Sequence, residues 1–227
     1  MCGRFTNLMT WAELHQLYSI HDIAPPSSNM RPRYNIAPTQ DVFFATKPEG
    51  HEMALQQGRW WLVPFFAKEL PKAAMFNARI ETVESSGAYR EPFKTKRCLI
   101  PADGYFEWTT NEGDRKKDPW LLQLPDAQSF SFAGLWSHND KLDVTSCTII
   151  TGPAVEHISH IHGRMPFILH RDSYGDWLDT TIEGQSAKDV LSAGQINDQL
   201  EFFRVGREVN SSRYDGSDTK KPVINTL

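Results

Sequence analysis

The chain has 227 residues, 40% of them hydrophobic and 11% aromatic, enough for one sizeable buried core. Its formal charge of −4 excludes a generally basic nucleic-acid binder, and three cysteines, Cys2, Cys98 and Cys147, are too few for a disulfide framework. No run reaches the roughly 18 apolar residues that span a bilayer, and no secretory or lipidation signal is present. The expectation is a cytoplasmic protein with no membrane partner.

In chain order the first feature is Cys2. An initiator methionine is trimmed readily before a residue this small, and the mature chain then begins with cysteine. Such a residue carries an α-amine of pKa about 7.7–8.0 and a thiol near 8.5 on adjacent carbons, a pair no internal residue offers. It can act as an N-terminal nucleophile, or trap an aldehyde as an imine and close a five-membered thiazolidine. Position alone favours the plainer reading, that Cys2 is merely the second residue.

Thr10-Trp11-Ala12-Glu13 has the form of a capping box, and Leu14, Leu17 and Tyr18 follow at helical spacing, so a helix is predicted over 10–20. The stretch 25–39, rich in Pro, Ser and Asn, reads as an irregular loop. Strand patterns follow at Val42–Ala45, Met53–Val63, Cys98–Ile100, Tyr105–Trp108, Trp120–Leu124, Phe130–Trp136 and Val144–Thr151. Helical patterns return at 154–160, 172–179 and 186–193, and the polar 211–221 reads as the most loosely held part, opening a tail over 211–227. There is no internal repeat and no linker that divides the chain, so a single α+β domain over 1–227 is expected, its mixed and antiparallel sheets curling into a barrel-like core with peripheral helices. The charge is uneven: residues 1–100 carry 12 Lys+Arg and 9 Asp+Glu, and residues 101–227 carry 12 and 19. A local phosphate-binding face in the first half is compatible with that asymmetry.

Polar residues beside apolar strand ends mark the candidate chemistry. Glu107, between Phe106 and Trp108, is either a carboxyl with a raised pKa suited to proton transfer or a residue pointing to water from an alternating strand. His157, His160 and His162 match no established zinc spacing and have no CxxC nearby, so one acid–base histidine with two structural ones is favoured and no metal or cofactor is expected. Glycine-rich phosphate loops, G-x-S-x-G and kinase motifs are absent.

Taken together, the blocks Cys2-Gly3-Arg4-Phe5, Arg33-Tyr34-Asn35-Ile36-Ala37-Pro38, Asn77-Ala78-Arg79-Ile80-Glu81, Arg97 to Trp108 and His162-Gly163-Arg164-Met165-Pro166 resemble the SOS-response-associated peptidase (SRAP) family, whose members process abasic sites in DNA. The resemblance implies a domain with Cys2 in a positively charged DNA groove. It further implies a covalent thiazolidine crosslink between Cys2 and the ring-opened aldehyde of an abasic deoxyribose. Asn77 would hold the Cys2 amine or the sugar, Glu107 would shuttle protons, and His162 would assist ring opening. Arg4 and Arg79 would grip phosphates, with Asn35, Pro38, Trp60, Phe66 and Arg164 completing the DNA contacts. Without the resemblance, Arg79 reads as a surface partner of Glu81. One departure stands out. Trp60-Trp61-Leu62-Val63-Pro64-Phe65-Phe66 replaces the family's Trp-Gly-Leu-Ile-Pro-x-Trp, leaving Phe66 as the terminal ring. The expected partner is single-stranded or junction DNA carrying an abasic site, met by a monomer. The alternatives are a thiol peptidase or amidohydrolase acting through Cys2, including removal of Met1, and a reader of single-stranded DNA that never bonds to it.

Overall fold

The alternating segments between Val42 and Thr151 form long strands, and the short, polar-flanked ones around them complete two sheets. The computed structural model describes residues 2–20, 30–48 and 50–223. In chain order the elements are β1 (Arg4–Asn7), α1 (Trp11–Tyr18), β2 (Arg33–Ile36), β3 (Asp41–Thr46), β4 (Ala54–Trp60), β5 (Asn77–Arg79), α2 (Arg90–Thr95), β6 (Arg97–Ala102), β7 (Gly104–Thr110), β8 (Lys117–Gln123), β9 (Phe130–Asn139), β10 (Val144–Pro153), α3 (Glu156–Ser159), β11 (Arg164–Pro166), β12 (Ile168–Leu169), α4 (Tyr174–Leu178), α5 (Gly184–Gly194) and β13 (Glu201–Arg204).

The first sheet is antiparallel, in the order β13-β8-β7-β1-β2. The second is mixed, in the order β11-β10-β4-β3-β6-β9-β12, with β5 added parallel to β10. Strand β10 also pairs with β9, and Cys147 faces Trp60 on one side and Trp136 on the other. Strands β10, β4, β3, β6 and β9 therefore close into a ring, which is how the expected curling is realised. A glycine is required in its wall at Gly134, where a Cβ would come within 2.9 Å of the Thr148 carbonyl oxygen.

Two apolar clusters fill the molecule. One joins Phe5, Tyr105 and Leu122 of the first sheet to Trp60, Phe132 and Ile149 of the ring; the other packs Leu14, Leu62, Phe93, Trp177 and Leu191 beneath the helices. Helix α1 starts as its sequence dictates. The Glu13 N–H donates to Thr10 Oγ1 at 3.3 Å, and the Thr10 N–H donates to Glu13 Oε2 at 2.6 Å. Its apolar stripe, Leu14, Leu17 and Tyr18, is buried.

The differences from the sequence reading lie in short strands. The described part of the expected 25–39 loop contains β2, and residues 25–29 lie outside the described residues. Strands β1, β5, β11, β12 and β13 carried no recognisable pattern, because two to four residues are too few to show a period of two, and the six residues of α2 are too few to show a helical one. The helix expected over 154–160 is the single turn α3, and that over 172–179 begins as a 3₁₀ turn, Arg171–Ser173, before α4. The polar stretch 211–221 is stitched to the body. Asp215 accepts from the backbone N–H groups of Tyr34 at 2.6 Å and Asn35 at 2.8 Å, and Lys220 pairs with buried Asp103.

Candidate active site

Strand β1 lies between β2 and β7, with Arg4 opposite Phe106 and Phe5 opposite Tyr105. That register carries the chain before β1 alongside Glu107. Tyr105 and Glu107, two residues apart, share the inner face of the sheet. Phe106 points to the opposite face, where Leu121, Val205 and Val209 cover it. Glu107 therefore does not turn to water. It is 3% exposed, because both faces of β7 are packed.

Cys2 is fully buried at this corner, within the cluster that holds Phe5, Trp60 and Tyr105. Asn77, at the start of β5, donates from Nδ2 to the Cys2 carbonyl oxygen at 2.8 Å and so fixes the backbone that carries the thiol. The Asn77 Oδ1 atom is buried with no hydrogen-bond partner among the described residues. Burial pushes the Cys2 thiol well above its ordinary pKa, and the neighbouring Glu107 carboxyl adds to the rise. Burial likewise raises Glu107, and the nearby His162 imidazole pulls it partly back. The two groups thus each hold their proton more tightly than they would in water, the state from which a buried acid–base pair can exchange protons with a reacting group.

His162 sits in the turn before β11, where its Nδ1 accepts from the Arg164 N–H at 3.0 Å. That bond directs Nε2 away from the backbone. Among the described residues no cluster of three His, Cys, Asp or Glu could hold a metal ion. His157 and His160 are exposed on and after α3.

Cys2, Asn77, Glu107 and His162 are therefore linked through contacts and fields in one place. The expected DNA-contact residues are distributed differently. Arg4 donates to Asn35 Oδ1 and to the Val209 carbonyl, both at 2.9 Å, and to the Asn210 carbonyl at 3.3 Å. Asn35 is buried and donates to the carbonyls of Val209, Ser211 and Tyr214. Both act as struts that hold the C-terminal segment beside the site. Trp60 requires a correction. It is fully buried, stacked edge-on against Phe5 at 4.9 Å with its Nε1–H given to the Phe76 carbonyl, so its ring presents no face to a base. Phe66, by contrast, is 53% exposed and packs edge-on against the equally exposed Phe65 at 5.2 Å. Pro38 is half-buried in the turn after β2, and Arg79 is exposed. Glu81 pairs with Arg164, not Arg79: the guanidinium grips both carboxylate oxygens at 2.8 and 3.0 Å and also donates to the Thr151 carbonyl. That bidentate bond holds the Glu81 carboxyl below its usual range.

Tyr105 was not singled out by sequence reasoning. Its hydroxyl is buried without a partner among the described residues, and its ionisation is pushed up by burial and then by Glu107 and Cys2. The available signal was its position two residues before Glu107 on the same strand face.

A buried thiol at the second residue, anchored by a carboxamide and neighboured by a carboxyl that itself lies near an imidazole, sits at the corner of a mixed-sheet fold built around it. The chain belongs to the SOS response associated peptidase (SRAP) family, whose model matches residues 1–212. It is 34% identical over 222 residues to the abasic site processing protein YoaM of Bacillus subtilis, covering 96% of each chain. It is 28% identical over 230 residues to the abasic site processing protein YedK of Escherichia coli, covering 98% of this chain and 100% of that one. Its fold matches a crystal structure from Bacteroides thetaiotaomicron with a TM-score of 0.80 at 20% identity, over 98% of this chain and 100% of the other. A phage-related protein from Bordetella bronchiseptica matches with a TM-score of 0.75 at 25% identity, over 94% of this chain and 99% of the other.

Proposed function

We propose that this protein recognises abasic sites in single-stranded DNA and bonds to them covalently through Cys2 once Met1 has been removed. The ring-opened deoxyribose presents an aldehyde. The Cys2 amine adds to it and expels water as an imine, and the thiol then adds across the C=N bond to close a thiazolidine, so that no oxidant or reductant is needed. Glu107 accepts and returns the protons that these two additions move, and His162 assists ring opening at the sugar hydroxyl. The exposed Arg79 and Phe66 meet the flanking phosphates and bases. The protein acts as a monomer in the cytoplasm, on DNA; no helix among the described residues is long and apolar enough to cross a membrane.

The observation that carries this reading is the buried Cys2–Glu107 neighbourhood with Asn77 bonded to the Cys2 carbonyl. The same bond argues against a thiol peptidase acting on the Met1–Cys2 peptide. An oxyanion donor would have to address the carbonyl one residue earlier, whereas Asn77 anchors the nucleophile itself.

The test is intact mass of the protein before and after incubation with single-stranded DNA carrying one abasic site. A Met1-free chain gains the mass of the oligonucleotide less one water, and the adduct survives denaturation. Cys2→Ala gives no adduct. Cys98→Ser and Cys147→Ser still form it, since neither thiol has an α-amine beside it and both are buried as small apolar groups in the core. Wild-type yield from Cys2→Ala, or from a preparation that retains Met1, contradicts the proposal.

A further inference from the structure

A row of rings and a guanidinium runs from the buried carboxylate to the last strand of the five-stranded sheet. Glu107 on β7 stands opposite Trp120 on β8, and Trp120 stands opposite Arg204 on β13. Residues directly opposed across strands project from the same face, so these three share the face that carries the site. The Arg204 guanidinium lies 5.6 Å from the Trp120 ring centroid and is held by an ion pair to Asp118 at 2.8 Å. Phe202, two residues before Arg204, meets the Trp120 ring at 5.9 Å. His160 completes the group, 5.3 Å from Phe202 and 6.4 Å from Trp120.

These residues are not spent on the core alone. His160 is exposed, and Trp120, Phe202 and Arg204 are half-buried. The spacing His-x-x-His-x-His thereby acquires a division of labour: His162 lies beside Glu107, and His160 stands on the aromatic row leading away from it. Cys2 leads into β1, and Trp120 on β8 lies two strand spacings from β1, about 9–10 Å. That is the reach of the nucleotide next to a sugar held at Cys2.

We infer that this row is a stacking platform for the nucleobase that flanks the lesion in single-stranded DNA. The inference rests on the proposed reaction for the position of the lesion. Partly exposed flat rings and a guanidinium over one of them suit a base, whose π-face stacks whatever its identity and also attracts a cation. Recognition at this place is therefore indifferent to sequence but sensitive to whether a base is present at all.

The experiment compares single-stranded oligonucleotides with one abasic site in which the neighbouring nucleotide, on the 5′ or the 3′ side, carries a base or is a tetrahydrofuran spacer. Crosslinking rate at subsaturating protein and fluorescence anisotropy are both read. For the wild type, the base is favoured over the spacer about tenfold on one side, as expected for the stacking of one base. In Phe202→Ala and in His160→Ala that ratio falls toward one on the same side only. Because each ratio is taken within one preparation, a partly misfolded variant does not imitate the effect. Unchanged ratios in both variants, or a wild-type ratio of one on both sides, overturn the inference. If no oligonucleotide crosslinks, the abasic-site reading fails separately. The platform is then judged by anisotropy alone, where equal affinities of variants and wild type for the base-bearing strand remove it.

Discussion

Glu107 is a carboxyl group placed where folding alone does not want one. Burial raises its pKa, so the folded chain binds that proton more tightly than the unfolded chain does. Wild-type stability therefore falls as pH rises through the interval above the ordinary carboxylate range. Glu107→Gln removes this dependence. The variant is expected to melt at or above the wild-type temperature near pH 8, with the difference shrinking as pH is lowered, while single-turnover crosslinking slows by about 10²–10⁴-fold. Melting curves and crosslinking rates over the same pH series check both halves, and a wild-type melting advantage that grows with pH contradicts the assignment. His162→Ala should slow the same step, with the end-point yield preserved because both nucleophiles remain. At this scale the sequence was informative where chemistry is rare, as with a carboxylate between two aromatics. It was silent on Tyr105, whose ring reads as core and whose hydroxyl shows its surroundings only once the β1–β7 register is known. Trp60 misled for the converse reason, since an aromatic beside an arginine looks the same in a binding groove and in a core.

Among the elements, the strands nearest the site are the ones that sequence patterns hid. The capping box of α1 was readable because its bonds join residues three apart. Strands β1 and β5 are short and gain their order from distant partners, β1 from β2 and β7 and β5 from β10. The same non-local logic separates two arginines that look alike in sequence. Arg4 ties β1 to β2 and to the segment at 209–210, whereas exposed Arg79 makes no such tie among the described residues. Arg4→Ala should therefore lower the melting temperature by several degrees, because about 1 kcal/mol moves a domain of this size by about 2–4 °C and hydrogen bonds to a charged donor are worth at least that. Arg79→Ala should leave melting unchanged and weaken binding to single-stranded DNA at every flanking sequence. Its salt dependence should flatten by about 0.7 in the log–log slope, the contribution of one phosphate contact on a single strand. Calorimetry and salt titrations on both variants decide the matter, and a reversed pattern would exchange their roles.

Across the whole molecule, the charge distribution and the exposed rings argue for an unpaired strand as the substrate. The chain carries −4 overall, with its excess of cations confined to residues 1–100, so its total charge does not favour the two phosphate rows of a duplex. Phe65 and Phe66 stand exposed, and the thiol proposed to react lies at a buried corner that a paired, stacked nucleotide cannot enter without leaving its helix. Opening a duplex costs a few kcal/mol for each extruded base, and an already single strand avoids most of that. Initial crosslinking rates should accordingly be highest on single-stranded oligonucleotides and at single-to-double-strand junctions, and lowest on a continuous duplex with the same abasic site. Phe66→Ala should narrow the gap by slowing the single-strand reaction more than the duplex one, since only a splayed base can rest on that ring. Equal rates on all three wild-type substrates would mean that the exposed aromatics play no part in selection and that the buried corner opens to duplex DNA as readily as to a single strand.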